Sequence, residues 1–305
     1  MKYYEVTFTL SPCTQDSRDI LAAMAAEAGF ETFEESADGL VGYVQQQLFD
    51  ATVLDSVLEG FPIEQTHIEY KVGEAEDRDW NAEWEQEGFE PIVVERLSTD
   101  GNVADDGTGR VVIHDGRHLP DEALLAAPTT IAIEIDAHLA FGTGTHETTR
   151  LMCQQLLALD LHGKRVLDCG SGTGILGICA LRLGAQHCTA YDIDEWSTDN
   201  TRHNAVINHV DDRLIAMHGD ATLLDRYAAD TAAGYHVVMA NINRNILLGD
   251  MPRFVSVMTP GAVLLLSGFY ENDCTLLEDK AQSLGLVPCG KHTDGEWASL
   301  VFRRM

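Results

Sequence analysis

Arg165-Val166-Leu167-Asp168-Cys169-Gly170-Ser171-Gly172-Thr173-Gly174 decides the fold of this 305-residue chain. Its first residues form a buried strand, and Ile175-Leu176-Gly177-Ile178-Cys179-Ala180 after it reads as a helix. Between them glycines alternate with other residues, so the backbone can turn tightly and approach a ligand with no Cβ in the way. A dinucleotide fold wants a further glycine at the position held by Ile175, where the helix packs after the pyrophosphate turn. The pattern here is GxGxG instead, which argues for a nucleoside ligand without pyrophosphate.

The strand Thr189-Ala190-Tyr191-Asp192 ends in a carboxylate 22 positions after Gly170. That is about the spacing at which an acidic residue receives the two ribose hydroxyls. Asp192 is therefore the expected ribose ligand, and Asp194, ahead of the helical stretch Glu195 to Asn208, is expected to cap that helix. Gly219-Asp220-Ala221 follows the next strand, where Asp220 either accepts from an adenine amino group or simply makes a turn. The strand Val237-Val238-Met239-Ala240 leads to Asn241, placed beside the reaction centre of this topology, where an amide can orient an amine without carrying charge.

Ahead of the glycine strand lies Ala140-Phe141-Gly142-Thr143-Gly144-Thr145-His146-Glu147-Thr148-Thr149. Its glycines and hydroxyls make a loop that can fold over a ligand, with Thr149 aimed at it from a helix start. His146 is the titratable base candidate, with a helix-capping role as the alternative.

From about Pro128 to Met305 strands and helices alternate: Thr130 to Glu134, Arg165 to Cys169, His187 to Asp192, Leu214 to His218, Tyr235 to Asn241, Ala262 to Ser267 and a last strand near Trp297 to Arg303. Such alternation implies an α/β fold, a mostly parallel sheet with its ligand at the carboxyl ends of the strands. Residues 1–74 read as strand, helix, two strands, helix, strand, the split βαβ order of a small ferredoxin-like α+β domain. Residues 75–127 are expected to form a partly structured linker with a hairpin, and Trp80 and Trp84 share one face of a short helix there. The catalytic unit is then 128–305.

Lys and Arg total 20 against 49 Asp and Glu, a formal charge of −29. That field repels a phosphate backbone, so direct nucleic-acid binding is not expected, and it speeds encounter with a basic protein. The same acidity also serves solubility. The start of the chain lacks the apolar core of a signal peptide and no run is long enough to cross a bilayer, so a cytoplasmic protein without membrane contact is expected. The seven cysteines form an odd set with no CxxC pair and no metal-ligand spacing, so reduced thiols and no metal site are expected.

Together these residues resemble the ribosomal protein L11 methyltransferase family, over nearly the whole chain. The likeness rests on the front domain, the Trp80 and Trp84 segment, Ala140 to Thr149, the glycine loop, Tyr191-Asp192-Ile193-Asp194, Ala240-Asn241-Ile242, Ser267-Gly268 and Glu296-Trp297. It implies a seven-stranded Rossmann-like methyltransferase sheet that binds S-adenosylmethionine through Phe141, Thr149, Gly170, Gly172, Gly174, Asp192, Asp220 and Asn241. It further implies N-methylation of α-amino and lysine ε-amino groups of ribosomal protein L11, recognised by the front domain, with Asn241 and His146 as catalytic candidates. A monomer is expected. Nucleobase amino-methyltransferases of this fold carry two prolines after the Asn or Asp, where this chain has Ile242 and Asn243. Two departures stand out: Ala137-His138 replaces the Pro-Gly common in the family, and the interval from Asp192 to Asn241 is stretched.

Overall fold

The computed structural model describes residues 3–30, 32–46, 49–63, 66–74, 88–96, 109–137, 144–226 and 234–305. The chain divides into two compact units, Met1–Trp80 and Asn81–Met305.

The first unit runs β1 (Tyr3–Ser11), α1 (Gln15–Glu27), β2 (Thr32–Ser36), β3 (Gly39–Gln45), α2 (Ala51–Glu59) and β4 (His67–Glu74), in the expected βαββαβ order. Its sheet is antiparallel in the order β2-β3-β1-β4. Strand β1 shows why: Val6, Phe8 and Leu10 are buried while Thr7, Thr9 and Ser11 are exposed, the period-two pattern of a half-buried strand. The buried side meets Leu21 and Ala25 of α1 and Leu54 of α2 in one apolar cluster. Asp50 caps α2 by accepting from Thr52 N–H at 2.8 Å.

The second unit opens with a small sheet of β5 (Ile92–Glu95), β6 (Arg110–His114) and β7 (Thr130–Glu134), with the short helix α3 (Glu122–Leu125) before β7. Strands β5 and β6 are antiparallel and β6 and β7 parallel. Thr130 to Glu134, expected in the large sheet, belongs here instead. Trp80 and Trp84 lie outside the described residues.

The large sheet contains β8 (Arg165–Cys169), β9 (His187–Asp192), β10 (Leu214–His218), β11 (Tyr235–Asn241), β12 (Met258–Tyr270), β13 (Leu286–Asp294) and β14 (Trp297–Arg304), in the order β10-β9-β8-β11-β12-β14-β13. Strands β8 to β12 pair in parallel, and β14 runs antiparallel to both its neighbours. Its seventh strand is β13. Sequence periodicity misses β13 because it is an edge strand with Leu286 as its one buried residue and Pro288 inside it.

Helices α4 (Glu147–Leu157), α5 (Ile175–Arg182), α6 (Glu195–Ile207), α7 (Arg244–Val257) and α8 (Cys274–Ser283) complete the unit. Two apolar clusters form, one with Met152, Leu156 and Ile178 and another with Met251, Phe254 and Leu277. Successive residues of β8, Val166 and Leu167, enter different clusters, as expected for a sheet covered on both faces. The chain leaves β8 toward β9 and β10 on one side and returns to β11 on the other, so the carboxyl ends of β8 and β11 form the topological switch point. No helix among the described residues is long and apolar enough to cross a membrane. Cys153, Cys169, Cys179, Cys188 and Cys274 are buried free thiols.

Candidate functional site

The glycine loop stands at the switch point. Gly170, Gly172 and Gly174 have φ of +74, +54 and +82°, a region that L side chains rarely adopt, which is why this loop needs glycine. Gly170 and Ser171 N–H groups both bond Tyr191 O, at 2.9 and 3.1 Å, tying the loop to the end of β9. Helix α6 supports it from behind: Thr201 Oγ1 donates to Gly172 O at 3.0 Å and lies 2.9 Å from Ser171 Oγ.

Asp192 ends β9 beside the loop. Its Oδ2 accepts from Gly172 N–H at 2.8 Å and its Oδ1 from Asp194 N–H at 3.0 Å. A carboxylate offers about four lone-pair sites, so each oxygen keeps capacity for a ribose hydroxyl. Asp194 takes the expected capping role, accepting from Ser197 N–H at 3.1 Å. The next residue after Asp192, Ile193, is 74% exposed, an apolar side chain held at the edge of the site.

Below the loop, Asp168 is fully buried, with Oδ2 accepting from Gly177 N–H at 2.9 Å and Oδ1 without a partner. Burial, with a smaller contribution from the Asp192 charge, pushes its pKa up to about 8, against the lowering effect of the Gly177 hydrogen bond. The folded protein therefore keeps this proton well above 3.8, where the unfolded chain releases it. Stability from Asp168 is fully present below about pH 4 and is lost as pH rises to about 8. Asp168→Asn is expected to flatten the decline in ligand-free stability between pH 5 and pH 8, measured by chemical denaturation. An unchanged slope would refute the assignment. As a lone acidic residue inside an apolar strand, Asp168 gave no site signal in sequence, where it reads only as strand.

Among the other buried polar atoms without partners are Thr149 Oγ1, in the first turn of α4, and Asn241 Oδ1, at the end of β11. Native proteins leave few such atoms unpaired, which makes these two, at strand and helix ends that the sequence singled out, candidates for contact with a ligand. Asn241 is held in place through its neighbour. Ile242 N–H bonds Ser267 O at 3.1 Å, and Ile242 is wedged between two glycines. A Cβ on Gly170 would lie 2.4 Å from Ile242 Cγ2, and one on Gly268 2.6 Å from Ile242 O. Gly268 also has φ +91°. Gly268→Ala is expected to cost about 2–4 kcal/mol, through a backbone collision and a strained φ, and to lower activity by moving Asn241. Thermal denaturation and rate assays on the same preparation check this, and wild-type stability would refute it.

His146 is the N-cap of α4. Its Nδ1 accepts from Thr148 N–H at 3.2 Å and lies 2.9 Å from Thr148 Oγ1. With Nδ1 accepting from a backbone N–H, the neutral ring carries its proton on Nε2 and has no lone pair there for a substrate proton. Its ring packs edge-on against Trp297 with centroids 4.7 Å apart, and Trp297 stacks on Tyr270 at 4.4 Å. This aromatic group stands at the paired ends of β12 and β14, on the side of Asn241 away from Asp192.

Asp220 makes the turn that its sequence position allowed. It is exposed, and its Oδ1 accepts from both N–H (2.8 Å) and Oγ1–H of Thr222, starting the 3-10 turn Ala221–Arg226. Those hydrogen bonds hold its pKa below the usual carboxylate value, as suits a charged turn residue. Phe141 lies outside the described residues. Among the described residues, no group of three or more His, Cys, Asp or Glu is placed to hold a metal ion.

A profile described as ribosomal protein L11 methyltransferase (PrmA) matches residues 11–305. Among curated relatives, the ribosomal protein L11 methyltransferase of Phocaeicola vulgatus is 41% identical over 302 residues, 99% of each chain. That of Porphyromonas gingivalis is 37% identical, over 99% of this chain and 98% of its own. The crystal structure of a ribosomal protein L11 methylase from Lactobacillus delbrueckii subsp. bulgaricus aligns with a TM-score of 0.55 at 24% identity, covering 64% of this chain and 95% of that one. At that identity the last likeness speaks for the fold.

Proposed function

Because the chain belongs to the ribosomal protein L11 methyltransferase family, we propose that it transfers methyl groups from S-adenosylmethionine to amino groups of ribosomal protein L11. The observation that carries this reading is Asn241 Oδ1, buried and unpartnered at the switch point where the glycine loop and the Asp192 carboxylate also stand.

The residues fit the donor. Asp192 has acceptor capacity for both ribose hydroxyls, Ile193 offers an apolar face to the adenine, and the glycine loop lets the backbone approach. Thr149 Oγ1 and Asp168 Oδ1 are unpaired polar atoms for the amino-acid end of the donor. Asp220 gives Oδ1 to Thr222, and its Oδ2 keeps acceptor capacity for the adenine amino group. When bound, S-adenosylmethionine supplies a methyl group already activated by its sulfonium.

The protein's task is then to present a neutral amine in line with that methyl and to exclude water. Asn241 Oδ1 accepts an amine N–H, which aims the nitrogen lone pair away from the amide and toward the methyl group. Being uncharged, it does so without stabilising the ammonium form. At pH 7 freeing a lysine of pKa ~10.4 costs about 4.6 kcal/mol, and freeing an α-amine of pKa ~7.8 about 1.1. The α-amine is the easier acceptor, and desolvation beside Trp297 and Tyr270 lowers the cost for lysine. We assign His146 to capping α4 and the leaving proton to water, because its Nδ1 is already engaged.

The front unit is assigned to substrate recognition. The exposed face of its sheet carries Thr7, Thr9 and Ser11 of β1 opposite Lys71, Glu69 and His67 of β4, a polar surface for a protein partner. The test is direct: incubate the chain with S-adenosylmethionine and purified L11 and follow the intact mass of L11. Stepwise gain of methyl groups on amines is expected, and donor binding with no mass gain would overturn the reading.

A further inference from the structure

Helix α6 carries Asn200 and Asn204 and is capped by Asn208, four residues apart and so stacked on one face. All three are buried, Asn204 completely. Buried amides are costly unless their donors and acceptors are met, and here one backbone segment meets them. Asn208 Oδ1 accepts from Glu134 N–H at 3.0 Å, and its Nδ2 donates to Glu134 O at 2.7 Å. One turn earlier Asn204 treats Asp136 in the same way, accepting from its N–H at 2.9 Å and donating to its carbonyl at 3.1 Å. Asn200 Nδ2 adds a bond to Asp136 O at 2.8 Å.

The match is geometric. Four helical residues rise about 6.0 Å and two strand residues about 6.6–6.8 Å, so amides at i and i+4 meet strand residues at i and i+2. Glu134 ends β7, an edge strand of the small sheet, and the amides pair there as a further strand would.

Asn204 differs from the other two. Its Nδ2 also donates to Thr173 O, inside the glycine loop, at 2.9 Å. A single amide thus bridges the glycine loop and the end of β7, where the chain sets out toward His146 and Thr149. We propose that Asn204 is a positioning residue for the methyl donor, fixing the glycine loop against the backbone that follows β7. This rests on the donor reading given above. Asn208 makes the same kind of strand contact and no contact with the loop, so it separates positioning from stability.

The experiment compares wild type, Asn204→Ala, Asn204→Asp and Asn208→Ala by thermal denaturation, by calorimetric titration with S-adenosylhomocysteine, and by rates at varied donor. Asn204→Asp can still accept from Asp136 N–H but sets a carboxylate against the carbonyls of Asp136 and Thr173. Both alanine variants should lower the melting temperature. Only the Asn204 variants should weaken ligand binding and raise KM for the donor, by about tenfold, with kcat changed less. Wild-type donor affinity in Asn204→Ala, or equal weakening in Asn208→Ala, would overturn the inference. Should Asn204→Ala not fold, Asn204→Ser supplies the same comparison, since its hydroxyl can satisfy one carbonyl but cannot bridge two. Absence of binding by the wild type would instead overturn the donor reading itself.

Discussion

Asp192→Ala is expected to weaken S-adenosylmethionine binding by about 10²-fold or more, because two charge-assisted hydrogen bonds to ribose disappear at about 1.5–3 kcal/mol each. The loss has a second part within the protein. Gly172 and Asp194 N–H groups both bond this carboxylate, so its removal also frees the glycine loop from β9 at that point. Asp192→Asn keeps one acceptor oxygen and should fall between the two. Calorimetric titration with S-adenosylhomocysteine checks the order, and an alanine variant within about threefold of wild type would sink the ribose assignment.

The second large effect is expected at Asn241, where alanine should lower kcat by about 10²–10³-fold, the range seen when a single preorganised hydrogen-bonding group is removed from an active site. Donor affinity should change far less. Asn241→Asp is the more informative variant. A carboxylate there would favour the ammonium over the free amine, raising the acceptor pKa and moving the rate against pH curve to higher pH. Single-turnover rates across pH 7 to 10 distinguish the two variants. Wild-type rates in both would remove Asn241 from the mechanism.

The catalytic sheet was legible because its strands are buried on both faces and read as apolar runs, and because glycines at alternate positions punctuate β8 and α5. The Asp194 cap was legible because a helix start favours a short side chain that accepts from the first-turn N–H groups. Strand β13 was not, because its edge position leaves most of its side chains exposed. Thr130 to Glu134 was recognised as a strand but given to the wrong sheet, since its pairing with Arg110–His114 is a long-range fact that local periodicity does not contain. In the site, Asp168 and Asn204 escaped notice for a shared reason. Each acts through burial and through bonds to distant backbone, of Gly177 for one and of Asp136 and Thr173 for the other.

Strand β14 follows β13 in the chain yet lies between β12 and β13. Until residues 297–304 have left the ribosome, β12 and β13 have no strand to join them, while β8 to β11 already hold the glycine loop and Asp192. Synthesis thus separates an early half that carries the glycine loop and Asp192 from a late half that brings in Trp297. A nascent chain stalled before β14 would expose the unpaired edge of β12, the stage at which a chaperone has most to protect.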